Sequence, residues 1–425
     1  MGSRKKAKPS RSKKKPKTSA DQALALDYVR EWAHPAPPPE PSATDAAGDD
    51  FLPHQAAAMS SGGGDSVLFD LHSHSNHSDG FLSPSALVER AHRNGVKVLA
   101  LTDHDTVTGI PEAISAAHKF GMRIIPGVEI SALYSPREIP GAGEHVHILA
   151  YYGMCGPSRL DELERMLSDI RNGRYLRARN MLEKLNRLKV PIKWEHVTKI
   201  AGEGVAPGRL HIARAMVEVG HVENVRQAFN KYIGDDGPAY ATGSEPFAET
   251  VVQLISRTGG ISALAHPWAL KNPDTIIRAL KCAGLNAMEV YRSDGKVDGF
   301  SELAEKYGLL KIGGSDFHGT GRKDESDIGR VKLAITTLCC FLKMARPIWC
   351  SAMKDILLKF AEEPSAANLG KIVKFGQLIN FDGFSSMDGM DIVNLCLSSW
   401  LSNDGKEEVE LEEVRLKLAH SVAKL

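Results

Sequence analysis

Between residues 66 and 313 short apolar runs alternate with longer amphipathic stretches, which predicts strands and helices in turn. Runs of strand length fall at 66–71 (SVLFDL), 97–102 (KVLALT), 123–130 (RIIPGVEI), 145–152 (HVHILAYY), 260–265 (GISALA), 286–291 (NAMEVY) and 309–313 (LLKIG). Most are nearly continuous rather than alternating, as expected of strands covered on both faces in a parallel sheet. The stretches between them carry helix start signals. Ser83 before Pro84 offers an N-cap followed by proline at the first helical position, and Pro111, Pro246 and Pro273 mark other starts. Seven parallel strands with helical returns predict an α/β fold, closed or nearly closed into a barrel.

The alternation breaks at about 154–244, which reads as helices at 158–189, 195–201, 209–219 and 223–233. This stretch is expected as a helical subdomain inserted between the fourth and fifth strands of a barrel spanning 65–332. Residues 333–425 read as a helical C-terminal extension anchored by Trp349, Phe360 and Trp400, with an acidic patch at 404–413. At the other end, Leu24, Tyr28 and Trp32 stand at helical spacing and predict a short docking helix over 21–33. A Pro-rich and Gly-rich linker follows, up to residue 64.

The net charge of +1 gives no whole-protein argument for a polyanionic partner or a membrane surface. Charge is unevenly placed, though. Residues 1–20 hold nine Lys and Arg, and the first acid is Asp21. No apolar core of a secretory signal accompanies them, so this basic, disordered tail reads as a contact for a nuclear import receptor or as a solvated segment without an address. Nucleus and/or cytoplasm is the expected location, with an organelle as the alternative. Six cysteines without a CxxC pair predict free thiols in a reducing compartment. No apolar run reaches membrane-spanning length, so no membrane partner is expected. Nothing in the pattern speaks to oligomeric state.

Histidines and carboxylates change the picture most. The first run leads into His72-x-His74, His77 and Asp79-Gly80, and the second into Asp103-His104-Asp105. The third holds Glu129, the fourth His145 and His147, the fifth leads to His266, and the seventh to Asp316-Phe317-His318. Six of the seven runs thus place His, Asp or Glu at or near one end, and in α/β barrels the carboxyl rim is where sites are built. One buried histidine is ordinarily a hydrogen-bonded core residue. Burying this many imidazoles and carboxylates together without a cation would cost several kcal/mol per unpaired group. Imidazole plus carboxylate without thiolate suits a catalytic Mn²⁺ first, with Zn²⁺, Fe²⁺ and Mg²⁺ as alternatives. Nine ligands are too many for one ion and enough for two or three.

The segments DLHSHSNHSDG, LTDHDT, PGVEIS, HVHILAYYG, AHP and GGSDFHG resemble, in order and over residues 66–320, the motif series of the PHP (polymerase and histidinol phosphatase) phosphoesterases. GRLHIARAMVEVG followed by AFNKYIGDDGPAYA resembles the branch holding nucleoside 3′,5′-bisphosphate phosphatases and 5′→3′ exoribonucleases. The resemblance implies a distorted (β/α)7 barrel and a metal-dependent phosphoesterase acting on nucleotides or short RNA through a metal-bridged hydroxide. It implies His72, His74, Glu129 and Asp316 for a first ion, and Asp79, His104 and His318 for a second. His147 and His266 would hold a third, with Glu129 bridging. His77 falls off the pattern, His145 is expected behind the ligands or at the surface, and Asp103 or Asp105 is expected to orient His104. Catalytic roles fall to Asp316, His318 and His211, with His318 or His211 supplying the leaving group's proton.

Arg171, Arg174, Arg177 and Arg179 lie on one expected helix and Arg209 opens another, within Gly208-Arg209-Leu210-His211 where relatives usually have proline third. Arg174, Arg209 and His211 are the expected substrate-binding residues, gripping a second phosphate by paired hydrogen bonds. The plain alternative is a solvated basic helix face. Rival functions are another PHP phosphatase, such as one for histidinol phosphate, a barrel hydrolase of C–N bonds, and a non-catalytic metal- or nucleic-acid-binding module.

Overall fold

The computed structural model describes residues 19–33, 67–135, 143–292, 295, 299–321 and 325–363, with 365, 368, 372, 375 and 417. The basic tail, the linker, Trp400 and the 404–413 patch lie outside the described residues.

All seven expected strands form. They are β1 (Leu68–Asp70), β2 (Val96–Leu101), β3 (Arg123–Tyr134), β4 (Glu144–Tyr151), β5 (Ile261–Leu264), β6 (Ala287–Tyr291) and β7 (Leu310–Gly313), and they pair in sequence order. The sheet is not closed along its named strands. Just beyond them β1 and β7 are joined by a parallel bridge between Ser73 and Phe317. There the His74 N–H donates to Phe317 O at 2.9 Å and the Asp316 N–H to His72 O at 3.0 Å. The fold is thus a distorted seven-stranded barrel whose seam is fastened beside the histidines.

One expectation fails. The strands are not all parallel, because β4 runs antiparallel to both β3 and β5. A continuous apolar run reads the same in either direction, so the sequence pattern could not show the reversal. Its effect on layout is large. β3 continues past the rim to Tyr134, β4 descends against it, and the chain emerges at the opposite face, where the Ser158 N–H meets Thr258 O.

The helix that follows must climb back. Helices α1 (Ala20–Ala33), α2 (Pro84–Arg93) and α3 (Ile110–Lys119) precede α4 (Leu160–Arg187), whose 28 residues span about 42 Å. The lower half of α4 buries Leu160, Leu163, Leu167 and Ile170 in the barrel's outer core. Its upper half buries Ala178, Met181, Leu182 and Leu185 in a separate core. That second core completes a cap with α5 (Trp194–Ala201), α6 (Arg209–Glu218), α7 (Val225–Ala228) and a π-helical turn at Phe229–Ile233. Between the two cores lies Gly173, where an added Cβ would sit 2.2 Å from Ser244 Oγ, on the segment that leaves the cap. The cap therefore enters and leaves the barrel through one narrow neck.

Helices α8 (Ala248–Arg257), α9 (Pro273–Ala283) and α10 (Phe300–Lys306) cover the remaining strands, and α11 (Ile335–Glu362) closes the bottom with α1. Trp349 and Phe360 anchor α11 as expected. In α1 the buried stripe is Ala25, Leu26, Val29, Trp32 and Ala33, while Leu24 is exposed, one helical position off the expected face. The Arg123 side chain donates to Trp32 O at 3.0 Å, and this ties α1 to the foot of β3.

Candidate metal centre

The ends of the strands build the site. Past β1 the chain places His72 and His74 on one side, and a bridge from His104 to Glu129 aligns the ends of β2 and β3. Below them the buried Asp70 carboxylate accepts N–H groups from His72 (3.2 Å), Ser315 (2.9 Å) and Gly329 (2.8 Å). It thereby fixes both edges of the seam. Asp103 accepts from Ser75 N (2.7 Å), Ser75 Oγ (2.6 Å) and Ser78 Oγ (2.7 Å), so it shapes the turn that presents Asp79. That turn requires Gly80, since a Cβ there would lie 2.5 Å from His74 O.

Four atoms meet at one point. His72 Nε2 and His74 Nε2 are 3.1 Å apart, and Glu129 Oε2 lies 3.2 and 3.1 Å from them. Asp316 Oδ1 lies 3.3 and 3.2 Å from the same two nitrogens. Ligands about 2.1 Å from a tetrahedral ion stand about 3.4 Å apart, and octahedral neighbours about 3.0 Å, so the observed edges match a coordination shell. His74, Asp79, His104 and His318 form a second group, with His318 Nε2 at 3.3 Å from Asp79 Oδ1. In a third, His147 Nδ1 and His266 Nε2 each stand 3.0 Å from Glu129 Oε1, and His104 Nδ1 stands 3.3 Å from Glu129 Oε2. All nine residues expected as ligands converge, and Glu129 touches members of each group.

Some of their polar atoms find no hydrogen-bond partner among the described residues. His74 Nδ1, Asp79 Oδ1 and His104 Nδ1 are buried without a hydrogen bond. Atoms of this kind cost several kcal/mol in a purely protein environment and are satisfied by cations, so the residues fit divalent ions. Without them, imidazolium and carboxylate offset one another. Burial works against the His72 proton, but Glu289, Glu129 and Asp316 outweigh it and raise the pKa well above the ordinary value. His318, despite its burial, is raised to about 10 by Asp79. Burial works against charge on Glu129 too, yet His104, His72 and His147 hold its pKa well below the usual range. His104 goes the other way, pushed well down by burial.

A carboxylate on the sixth strand escaped the sequence reading. Glu289, in the middle of β6 and 2% exposed, has Oε1 at 3.1 Å from His72 Nδ1 and accepts the His266 N–H on Oε2 at 2.7 Å. A carboxylate behind a ligating imidazole fixes its tautomer and raises its basicity. The signal was present as the lone acid inside the apolar run NAMEVY. Asp103 and Asp105, expected to orient His104, have other partners. Asp103 holds the serine turn, and Asp105 accepts from Ser131 N and Oγ and pairs with Arg174 Nε at 2.6 Å. Two donors, His266 (φ 29°) and Asp316 (φ 51°), sit in left-handed backbone, as does Asp105 (φ 54°) beside His104. Such conformations cost about 1–3 kcal/mol for non-glycine residues and cluster at functional sites.

Of the four arginines expected on α4, Arg171, Arg174 and Arg177 turn inward, whereas Arg179 is exposed and lies over the Trp194 ring. Arg174 and Arg177 are buried, and Arg174 also donates to Ser131 Oγ at 2.6 Å while Arg177 pairs with Glu245 at 2.5 Å. Arg171 donates to Asp105 O at 2.6 Å. Arg171, Arg174, His211, Asp79 and His104 line one cavity of about 280 Å³. Arg209 stands apart, 2.5 Å from Asp235 and between the rings of Phe229 and Tyr240. His211 Nδ1 accepts the Gly208 N–H at 2.9 Å, and burial lowers its pKa to about 4. It is therefore neutral at pH 7, which disfavours the proton-donor role. His77 pairs with Thr108 in the outer turn, and His145 meets Tyr240 and faces Glu245.

Comparison with known proteins agrees with this geometry. Residues 70–204 match the PHP domain family model. A 5′-3′ exoribonuclease of Haemophilus influenzae is 34% identical over 59% of this chain and 89% of its own length. A 3′,5′-nucleoside bisphosphate phosphatase of Chromobacterium violaceum is 32% identical over 66% and 94%. Among solved structures, a protein of Bifidobacterium adolescentis, proposed to be a metal-dependent phosphoesterase, superposes with a TM-score of 0.57 at 29% identity, covering 65% of this chain and 95% of that one. With a third of the positions shared along nearly all of such a relative, this chain belongs to the PHP family and is a metal-dependent phosphoesterase.

Proposed function

We propose that the chain hydrolyses phosphate esters of nucleotides, taking nucleoside 3′,5′-bisphosphates and the 5′ ends of short RNA as its substrate classes. The observation that carries this reading is a cationic cavity directly beside the donor cluster, with Arg171 and Arg174 sharing its wall with Asp79 and His104. A single phosphate ester needs only the ions. A second phosphate one nucleotide unit away needs its own cations, and guanidinium groups supply them in a geometry matched to phosphate. The substrates of the exoribonuclease and bisphosphatase relatives have this character.

Three divalent ions, Mn²⁺ above all, fit the three donor groups, two of which include Glu129. When bound, they supply Lewis acidity toward the phosphoryl oxygens and a nucleophilic water of lowered pKa. The chain's own residues do the rest. Glu289 and Asp70 hold the His72 ring and backbone in place. Arg174 is fixed by Asp105 and Ser131 before any substrate arrives, so its contribution to phosphate binding carries little ordering cost. His211 accepts the Gly208 N–H, which fixes the first turn of α6, and its side chain lines the cavity wall.

Elemental analysis of purified protein, paired with a phosphate-release screen of mononucleotides, nucleoside bisphosphates and 5′-phosphorylated short RNA, tests the reading. Chelation should abolish release, and Mn²⁺ should restore it better than Ca²⁺, because imidazole-rich sites suit a borderline ion more than a hard one. Full activity in metal-stripped protein, or no release from any nucleotide, would end it.

A further inference from the structure

A second cavity, of about 330 Å³, opens on the other side of the donor cluster and touches Asp316 and His318. The first turn of α6 divides the two, with Leu210 facing this cavity and His211 the cationic one. Their walls differ in chemistry. The cationic cavity sets two guanidiniums against Asp79 and Glu203, whereas this one sets Glu289, Asp316 and Glu325 against Arg292 alone, whose guanidinium lies 4.7 Å from the ring centroid of the half-buried Trp268. An acidic wall repels a second phosphate. An indole paired with a planar guanidinium suits a flat, uncharged, polarisable group. The indole is held in place by its edge contacts with Phe300 and His266, at centroid distances of 6.3 and 6.5 Å. A rigid aromatic next to the reacting phosphate gains more from stacking than a loose one, because it loses little freedom on binding.

We infer that the Trp268–Arg292 wall is the nucleobase subsite, so that a substrate lies across the cluster with its base in this cavity and its second phosphate in the cationic one. The inference rests on the nucleotide phosphoesterase reading and adds to it which side of the metal centre takes which part of the substrate. Stacking reads a base's face and not its edge, so the site should accept all four bases with similar affinity. The competing location is Phe81, which is 42% exposed with the Arg214 guanidinium 4.0 Å over its ring, on the far side of the cationic cavity.

The test compares a nucleoside 3′,5′-bisphosphate with the same sugar bisphosphate lacking its base, both with Mn²⁺-loaded full-length protein. Trp268→Ala should raise KM for the nucleotide by roughly 5- to 100-fold, the span of base–aromatic stacking. Its KM for the abasic substrate and its bound metal should stay close to wild type. Trp268→Phe should recover most of the loss. Because Trp268 borders His266, Arg292→Ala serves as a second variant that leaves the indole in place, and it should show the same base-dependent loss in weaker form. Equal losses on both substrates would make Trp268 a support for His266 and overturn the inference. So would a base-dependent loss in Phe81→Ala and none in Trp268→Ala, or a wild type with one KM for both substrates. Phosphate release from neither substrate would sink the phosphoesterase reading itself, and the subsite with it.

Discussion

Replacing Glu289 by glutamine keeps the side chain's size and an oxygen to accept the His266 N–H, and removes only the charge facing His72 Nδ1. A hydrogen bond to a charged partner contributes about 1.5–3 kcal/mol, and loss of a carboxylate behind a ligating histidine weakens metal binding about 10- to 100-fold. Glu289 is 2% exposed and touches two expected ligands, so the upper half of that range applies. Metal-stripped Glu289→Gln protein should therefore need about 30- to 100-fold more Mn²⁺ for half-maximal phosphate release, and recover most of its turnover when saturated. Glu129→Gln is the contrast, because Glu129 stands in two of the three donor groups, and added metal should not rescue it. The assay is a Mn²⁺ titration of phosphate release with bound metal measured in parallel. An unchanged half-saturation point in Glu289→Gln, or a loss that excess Mn²⁺ fails to repair, would refute the supporting role derived for Glu289.

Arg171→Ala should raise KM for bisphosphates by roughly 10- to 100-fold, equal to one or two charge-assisted bonds, and change hydrolysis of a small aryl phosphate much less. Arg209→Ala should have the smaller effect, because Asp235 already holds that guanidinium, and a larger effect than at Arg171 would place the second phosphate deeper in the cap. His211 should make the protein acid-sensitive. The unfolded chain takes up this proton near 6.5 and the folded one only near 4, so stability is full above pH 6.5 and falls as pH drops toward 4. The loss is at most about 3 kcal/mol, and urea midpoints at pH 7 and 5 should differ less in His211→Gln than in wild type. Deleting residues 2–20 should leave turnover unchanged and remove nuclear accumulation of a fluorescent fusion, whereas nuclear accumulation of the truncated form would reject the import reading.

The strands and the nine donors were legible because each rests on a local pattern. An apolar run of five to eight residues forces burial, and a histidine or acid at its end stands out against it. Other features depend on partners distant in sequence. β4 reads the same forward and backward, so only its pairing with Tyr134 and Gly127 on β3 reveals its direction. Glu289 sits inside a run and not at its end, and its purpose is visible only with His72, 217 residues away in sequence, beside it. The spacing of the α4 arginines showed a shared face but not whether it turned inward, which depends on Asp105 and Glu245 waiting there. Asp105 itself looked like a companion of His104 because the two are neighbours in sequence. Successive residues at a strand end point in opposite directions, and this one points to the cap.

The neck at Gly173 and Ser244 makes the cap an exchangeable part. Its helices close on their own apolar core, and the two chain segments joining it to the barrel pass each other at one point. A lineage, or an engineer, can therefore replace residues 174–244 as one cassette without disturbing the strand ends that carry the ions. Evolution of substrate choice in such a molecule proceeds by refitting the cassette over a fixed metal floor. The limit on that freedom is Arg174 at the cassette's root, since a replacement must still satisfy the buried Asp105 carboxylate that this guanidinium now neutralises.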